Sequence, residues 1–200
     1  MEKIALFGTS ADPPTVGHQT ILQWLARHFD RVVVWASNNP FKQHQTPLSD
    51  RTKMLQLAIK HLEAHQHNIS LHPELSDRYT LVSVNKARQK WSEAEFNLVI
   101  GSDIVPQISS WYRIEELLQQ VKLLIVPRKG YDITEQDLAS LGKIGEFAIA
   151  TLNAPQVSSS TYRSQKDSYF IVPAVEDYIQ QNNLYNTAIE IDLDQKEYEN

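Results

Sequence analysis

Apolar residues along the chain fall into two alternating patterns. Ile4, Ala5, Leu6 and Phe7 make a short continuous run closed by Gly8, the mark of a strand buried on both faces. After a stretch rich in Ser, Asp and Pro, the residues Ile21, Leu22, Leu25 and Phe29 recur at helical spacing. Val32, Val33, Val34 and Trp35 form a second strand-like run. Ser49-Asp50 then reads as an N-cap before Met54, Leu55, Leu57, Ala58 and Leu62, again spaced for a helix. Runs at Phe96–Ile100, Val121–Val126 and Phe147–Ala150 continue the alternation. Strands alternating with helices predict an α/β fold, a doubly wound parallel sheet with helices on both faces.

The pattern stops after Tyr185, and Glu190–Asn200 is mostly acidic and polar. The expectation is one domain over residues 1–185 and an acidic, disordered tail over 186–200. At 200 residues the chain is long enough for one sizeable core. The formal net charge of -5 argues against a broad nucleic-acid surface, because such surfaces neutralise phosphates with Lys and Arg. Cysteine is absent, which removes thiolate zinc sites and cysteine nucleophiles and suits a reducing compartment. No signal-peptide pattern and no apolar run near the roughly 18 residues of a membrane helix is present. A cytoplasmic protein without a membrane partner is expected; a homo-oligomer is left open.

In a parallel sheet, ligands bind beyond the carboxyl ends of the strands. The first such end carries Gly8-Thr9-Ser10-Ala11-Asp12-Pro13-Pro14-Thr15-Val16-Gly17-His18. Gly8 suits a tight turn, and Pro13-Pro14 stiffens the approach to the helix. Gly17 would let phosphate oxygens approach backbone N–H groups at the helix start. His18 would donate to a phosphate oxygen, more strongly if protonated. The competing reading is a Pro-rich turn before a helix with a polar first turn. The stretch is neither a Gly-x-Gly-x-x-Gly fingerprint nor a P-loop.

Read by residue type alone, other positions have plain structural meanings. Trp111, one of four tryptophans, suits packing, and Lys42 and Arg163 suit solvated surface. Asp103 and Ser158–Ser160 suit helix caps. His44, His61, His65, His67 and His72 spread over loop, helix and strand without metal-ligand spacing, so no protein-borne metal is expected.

The first loop resembles the (His/Thr)-x-Gly-His signature of the nucleotidylyltransferase superfamily. Further blocks resemble the bacterial nicotinate-nucleotide adenylyltransferases: Met54–Ile59, Tyr79-Thr80, Ile100-Gly101-Ser102-Asp103, Trp111-Tyr112 with Glu115–Leu118, Pro127–Tyr131, Val157–Arg163, and Tyr178-Ile179 through Leu184-Tyr185. They run in family order over about nine-tenths of the chain. The resemblance implies a Rossmann-like sheet and adenylyl transfer from ATP to nicotinate mononucleotide, giving deamido-NAD and pyrophosphate, with Mg²⁺ carried by the ATP phosphates. It implies an ATP site of Gly8, Thr9, Ser10, Gly17, His18, Ser159, Ser160 and Arg163. Catalysis would rest on His18, Lys42, Thr15 and Arg163. A mononucleotide site would comprise Asp103, Trp111, Tyr112, Thr80 and Arg78, with Asp103 on ribose hydroxyls or the metal, Trp111 on the pyridine ring, and backbone N–H groups near Thr80 and Tyr112 on the carboxylate.

The chain departs from the family where Gly-Gly-Thr-Phe-Asp-Pro is usual, and Thr15 replaces the first histidine of His-x-Gly-His. Two alternatives stand beside this reading, the second motivated by Thr9, Ala11 and Thr15. One is another acceptor, nicotinamide mononucleotide or pantetheine phosphate; the other is a catalytically weak nucleotide-binding regulatory module.

Overall fold

The structure, a computed structural model, describes residues 1–39, 46–63, 67–152, 155 and 157–185. Lys42, His44, His65 and the expected tail at 186–200 lie outside these residues. Strands β1 (Lys3–Thr9), β2 (Arg31–Ala36), β3 (Ile69–Leu71), β4 (Glu95–Gly101), β5 (Lys122–Val126) and β6 (Phe147–Ile149) alternate with helices. The helices are α1 (Val16–His28), α2 (Leu48–Glu63), α3 (Thr80–Lys90), α4 (Ile114–Leu118), α5 (Glu135–Ile144), α6 (Ser159–Gln165) and α7 (Pro173–Gln181). All strand pairs are parallel, in the order β3-β2-β1-β4-β5-β6. This is the doubly wound, Rossmann-like order.

The continuous apolar runs follow from burial of both sheet faces. On β1, Ile4 and Leu6 enter a core shared with Leu81 and Val84 of α3 and Leu117 of α4. Ala5 and Phe7 point the other way, against Leu22 and Leu25 of α1 and Leu55 and Ile59 of α2. A third cluster joins Met54 and Ala58 of α2 to Tyr162 of α6 and Val175 and Ile179 of α7. The last two helices therefore cover the outer side of α2 and do not touch the sheet through this cluster. Among the described residues no helix is long and apolar enough to cross a membrane.

Several local expectations are corrected. Gly8 does not turn; it lies inside β1, opposite Trp35 of β2. A Cβ there would stand 2.7 Å from the Trp35 ring, so the glycine makes room for a buried indole. Ser49 and Asp50 do not cap α2, which begins at Leu48. Asp50 instead lies in the first turn, where a carboxylate complements the helix dipole, and accepts from the Tyr178 hydroxyl at 2.8 Å. The closing helix stops at Gln181, and residues to Tyr185 form a turn with left-handed Asn183 and Tyr185. Three-residue β3 was not legible as a strand at all.

The junction of β1, β2 and α2 is held by Arg51, 2% exposed. Its Nη1 donates to the carbonyls of Ser10 (2.9 Å) and Ser37 (2.8 Å), and its Nε to that of Thr46 (3.3 Å). Burial lowers its pKa, and the Asp12 carboxylate and Tyr185 oppose the shift. Truncating a buried charged donor leaves its acceptors dry and unpaired. Arg51→Met is therefore expected to reduce unfolding free energy by about 3 kcal/mol or more, measured by urea titration.

Candidate active site

The sheet opens where its winding direction reverses. The ladder between β1 and β4 ends at Leu6 opposite Leu98. Beyond it, Phe7, Gly8 and Thr9 pair only with β2, and Val99, Ile100 and Gly101 only with β5. The two strands part at their carboxyl ends, leaving a gap with no ladder across it. One lip of the gap is the loop from Thr9 to His18; the other begins at Gly101 and Asp103.

His18 is the third residue of α1, and Thr15 is its N-cap. The Thr15 backbone N–H donates to His18 Nδ1 at 3.1 Å, and the Thr15 hydroxyl lies 3.0 Å from the same nitrogen. A backbone N–H can only donate, so Nδ1 is an acceptor and the imidazole proton sits on Nε2. Nε2 stands 3.1 Å from Thr9 Oγ1 at the end of β1. Protonating Nδ1 would cost the Thr15 bond, so the arrangement presents Nε2–H as the donor. Thr15 itself is 1% exposed. Its backbone N–H holds His18, while its hydroxyl donates its one proton to the Val157 carbonyl at 3.3 Å.

That last contact ties the loop to the start of α6. Ser159 Oγ donates to the Pro13 carbonyl at 2.8 Å, and Arg163 Nη1 to the Asp12 carbonyl at 2.6 Å. Arg163 Nη2 also reaches Ser160 Oγ at 3.3 Å. Ser158, one residue earlier, caps α6 by accepting from the Thr161 N–H at 3.0 Å. Gly17 serves this junction: among protein atoms, a Cβ there would meet the Val157 carbonyl oxygen at 3.0 Å. Its smallness brings two backbone segments together, a reason distinct from phosphate access. Asp12–Pro13 is a cis peptide, and Ala11 has left-handed φ of 47° inside the protein.

Across the gap, Asp103 folds back over Gly101. Its Oδ2 accepts from Arg128 Nη1 at 2.9 Å. Its Oδ1 is buried and has no partner among the described residues. A Cβ on Gly101 would collide with that oxygen and press on the Arg128 side chain, so the glycine is required by the fold-back. Asp103 lies inside a 3₁₀ segment, Ser102–Ser110, and gives no side-chain cap. An orphaned buried acceptor is costly unless something donates to it.

The 3₁₀ segment delivers Trp111 and Tyr112. Trp111 packs partly against the core under α3 and α4 and borders an open cleft of about 620 Å³ with Arg113, Ile114, Glu115, Glu116 and Gln119. Tyr112 is half exposed and stacks on Tyr79, ring centroids 4.4 Å apart. Tyr79 caps α3, whose first residue is Thr80. The Arg78 guanidinium lies 5.5 Å from the Tyr79 ring. The Thr80 and Tyr112 segments are thus adjacent. The first N–H groups of a helix lack intrahelical acceptors, so the start of α3 offers donors.

The structure therefore gathers Thr9, Thr15, His18, Ser159, Ser160 and Arg163 on one lip, with Ser10 and Gly8 behind them. Asp103 stands on the other, and Arg78, Thr80, Trp111 and Tyr112 form a separate aromatic group beside it. Among the described residues no three His, Cys, Asp or Glu side chains stand together as a metal site. His72 instead contacts Ser70, Glu74 and the Trp91 ring. Three residues that hold the loop were not foreseen: Asp12, Arg51 and Tyr185. Nothing local in the sequence marks their role as braces, because their partners are distant in the chain.

The geometry agrees with the known proteins the chain resembles. The family model described as cytidylyltransferase-like matches residues 6–165. A protein of Synechocystis sp. named "Probable nicotinate-nucleotide adenylyltransferase" is 44% identical, covering 92% of this chain and 98% of its own. A Bacillus cereus protein of the same name is 30% identical, covering 94% of this chain and 100% of its own. Among solved structures, a Plasmodium falciparum nicotinic acid mononucleotide adenylyltransferase complexed with NaAD superposes with TM-score 0.79 at 22% identity, covering 92% of this chain and 98% of its own. Strand order, parted strands and full-length sequence identity point the same way: this chain belongs to the cytidylyltransferase-like family and, within it, to the nicotinate-nucleotide adenylyltransferases.

Proposed function

We propose that the parted carboxyl ends of β1 and β4 form the catalytic cleft, in which AMP passes from ATP to nicotinate mononucleotide. An oxygen of the mononucleotide phosphate bonds to the α-phosphorus of ATP. The bond from that phosphorus to the bridging oxygen breaks, and pyrophosphate leaves. The nucleophile is already an anion, so no general base is needed. The protein's task is to bring two polyanions together and to stabilise charge gathering on the phosphates. The observation that carries the assignment is the pairing of opposite lips, a held Nε2–H of His18 on one and, on the other, an Asp103 Oδ1 without a partner among the described residues.

In this reading His18 donates from Nε2 to an α-phosphate oxygen, exchanging its contact with Thr9 for one with substrate. Thr15 keeps Nδ1 occupied and so sets the proton on Nε2. Arg163 and Ser160 contact the outer phosphates with donors beyond those spent on the loop, and Ser159 and Gly17 keep that wall in place. Lys42 would add positive charge near the reacting phosphates; it lies outside the described residues. Asp103 accepts from ribose hydroxyls of the mononucleotide. Its pairing with Arg128 makes it a poor direct ligand for Mg²⁺, so the metal is assigned to the triphosphate and enters as part of the substrate. Trp111 offers its indole face to the cationic pyridine ring, and backbone N–H groups near Thr80 and Tyr112 receive the carboxylate.

The reaction is tested by pyrophosphate release from purified protein with ATP and Mg²⁺, supplying nicotinate and nicotinamide mononucleotides separately. Turnover faster with the nicotinate form is expected; binding of ATP without any turnover would instead establish a regulatory module. His18→Ala should lower kcat by roughly a hundredfold or more, the scale of a lost donor to developing oxyanion charge. Thr15→Val keeps the backbone N–H on Nδ1 and loses only the hydroxyl. It should cost about 1 kcal/mol, roughly fivefold in kcat/KM. Comparable effects at the two positions would misplace the reacting phosphate. Arg78→Ala should lower the ratio of kcat/KM for the acid over the amide, because it removes positive charge beside Tyr79 and Tyr112. An unchanged ratio removes Arg78 from substrate choice.

A further inference from the structure

The loop between Thr9 and His18 carries a carboxylate that the proposed chemistry does not use. Asp12 is 3% exposed and sits between the residues assigned to the phosphates. A carboxylate so close to a triphosphate would repel it unless its charge is held and directed elsewhere. Asp12 Oδ1 accepts two hydroxyl bonds, from Thr46 at 2.7 Å and from Tyr185 at 2.7 Å. The Asp12 carbonyl accepts from Arg163, so both ends of this residue are tied to elements arriving from late in the chain.

Tyr185 is placed by more than that bond. It follows α7 in left-handed backbone, φ 60°, a conformation that a bulky residue keeps only where its surroundings over-determine it. Its ring meets Tyr162 edge-on at 6.2 Å. Its carbonyl accepts from Lys166 Nζ at 2.6 Å, and that ammonium lies 5.3 Å from the ring centre. Burial, with Asp12 beside it, pushes the phenol well above its ordinary pKa, so Tyr185 is a neutral donor at any working pH.

We propose that Tyr185 is a positioning residue for the ATP site: its hydroxyl holds the Asp12 carboxylate away from the cleft and keeps the loop bearing His18 and the Arg163 contact in register. This inference rests on reading that loop as the ATP site. Tyr185 touches no reacting group in this arrangement; it acts through Asp12, and the arrangement makes the C-terminal turn part of nucleotide recognition.

The test is Tyr185→Phe, which keeps the ring, its contact with Tyr162 and the carbonyl bond to Lys166, and removes one donor. Titration with α,β-methylene ATP should show affinity weakened roughly threefold to tenfold. The KM for ATP should rise by a similar factor, with the KM for the mononucleotide unchanged. Lys166→Ala, which releases the Tyr185 carbonyl, should shift the ATP constants in the same direction and by less. Wild-type affinity for the analogue in Tyr185→Phe overturns the inference. So does a lowered Tm with equal losses for both substrates, the signature of a merely structural role. A wild-type protein that does not bind the analogue fails the functional reading itself, a result distinguishable from either.

Discussion

Past Leu6, the first strand has a neighbour on one side only, and the fourth strand past Leu98 likewise. The rest of the molecule is arranged around that separation. Two parallel strands at the centre of a sheet would ordinarily stay paired to their ends, because buried backbone polar groups need partners. Here the winding reverses between them, so the chain leaves β1 toward one side and β4 toward the other. The gap is a place where the ends of β1 and β4 lie free of a ladder between them.

On the proposed reading of the loop as an anion site, its own acceptor oxygens must be kept out of the way. Three loop carbonyls are occupied by donors from elsewhere: Ser10 by Arg51, Asp12 by Arg163, and Pro13 by Ser159. The same logic covers the carboxylate of Asp12. His18 is handled more finely still, since the Thr15 N–H dictates which nitrogen carries the proton. The substitution of Thr for the family's first histidine is compatible with this role. The backbone donor does not depend on the side chain, and the Thr hydroxyl has found other work at Val157.

The sheet was legible because its strands are buried on both faces and read as unbroken apolar runs: Ile4–Phe7, Val32–Trp35 and Val121–Val126 all became strands. Ile69–Leu71 is too short to register, and its place beside β2 is a tertiary fact. The structure brings His18 and Arg163 to one lip of the gap and Asp103 to the other, yet the reasons for particular residues differ from those read in the sequence. Gly8 answers to Trp35, Gly17 to the Val157 carbonyl, and Gly101 to the folded-back Asp103. A glycine's role depends on what crowds it, and in each case part of that crowd comes from beyond its immediate neighbours. Arg51 and Tyr185 show the same limit. Residue type suggests a surface cation and a helix-end aromatic, whereas their bonds to Ser10 and Asp12 span 41 and 173 positions.

The long reach of these ties bears on how the protein comes into being. Thr15 meets Val157 across 142 positions, and Asp12 meets Arg163 across 151. Contacts of such high sequence separation carry a large loop-closure cost and form after local structure does. During synthesis the first strand and helix emerge long before the segment that braces their connecting loop. A nascent chain reaching only β6 would own the whole sheet and none of the bracing from Val157, Ser159, Arg163 or Tyr185. The order of the loop between Thr9 and His18 therefore depends on segments made last, and so does the third core cluster, in which Tyr162, Val175 and Ile179 cover α2.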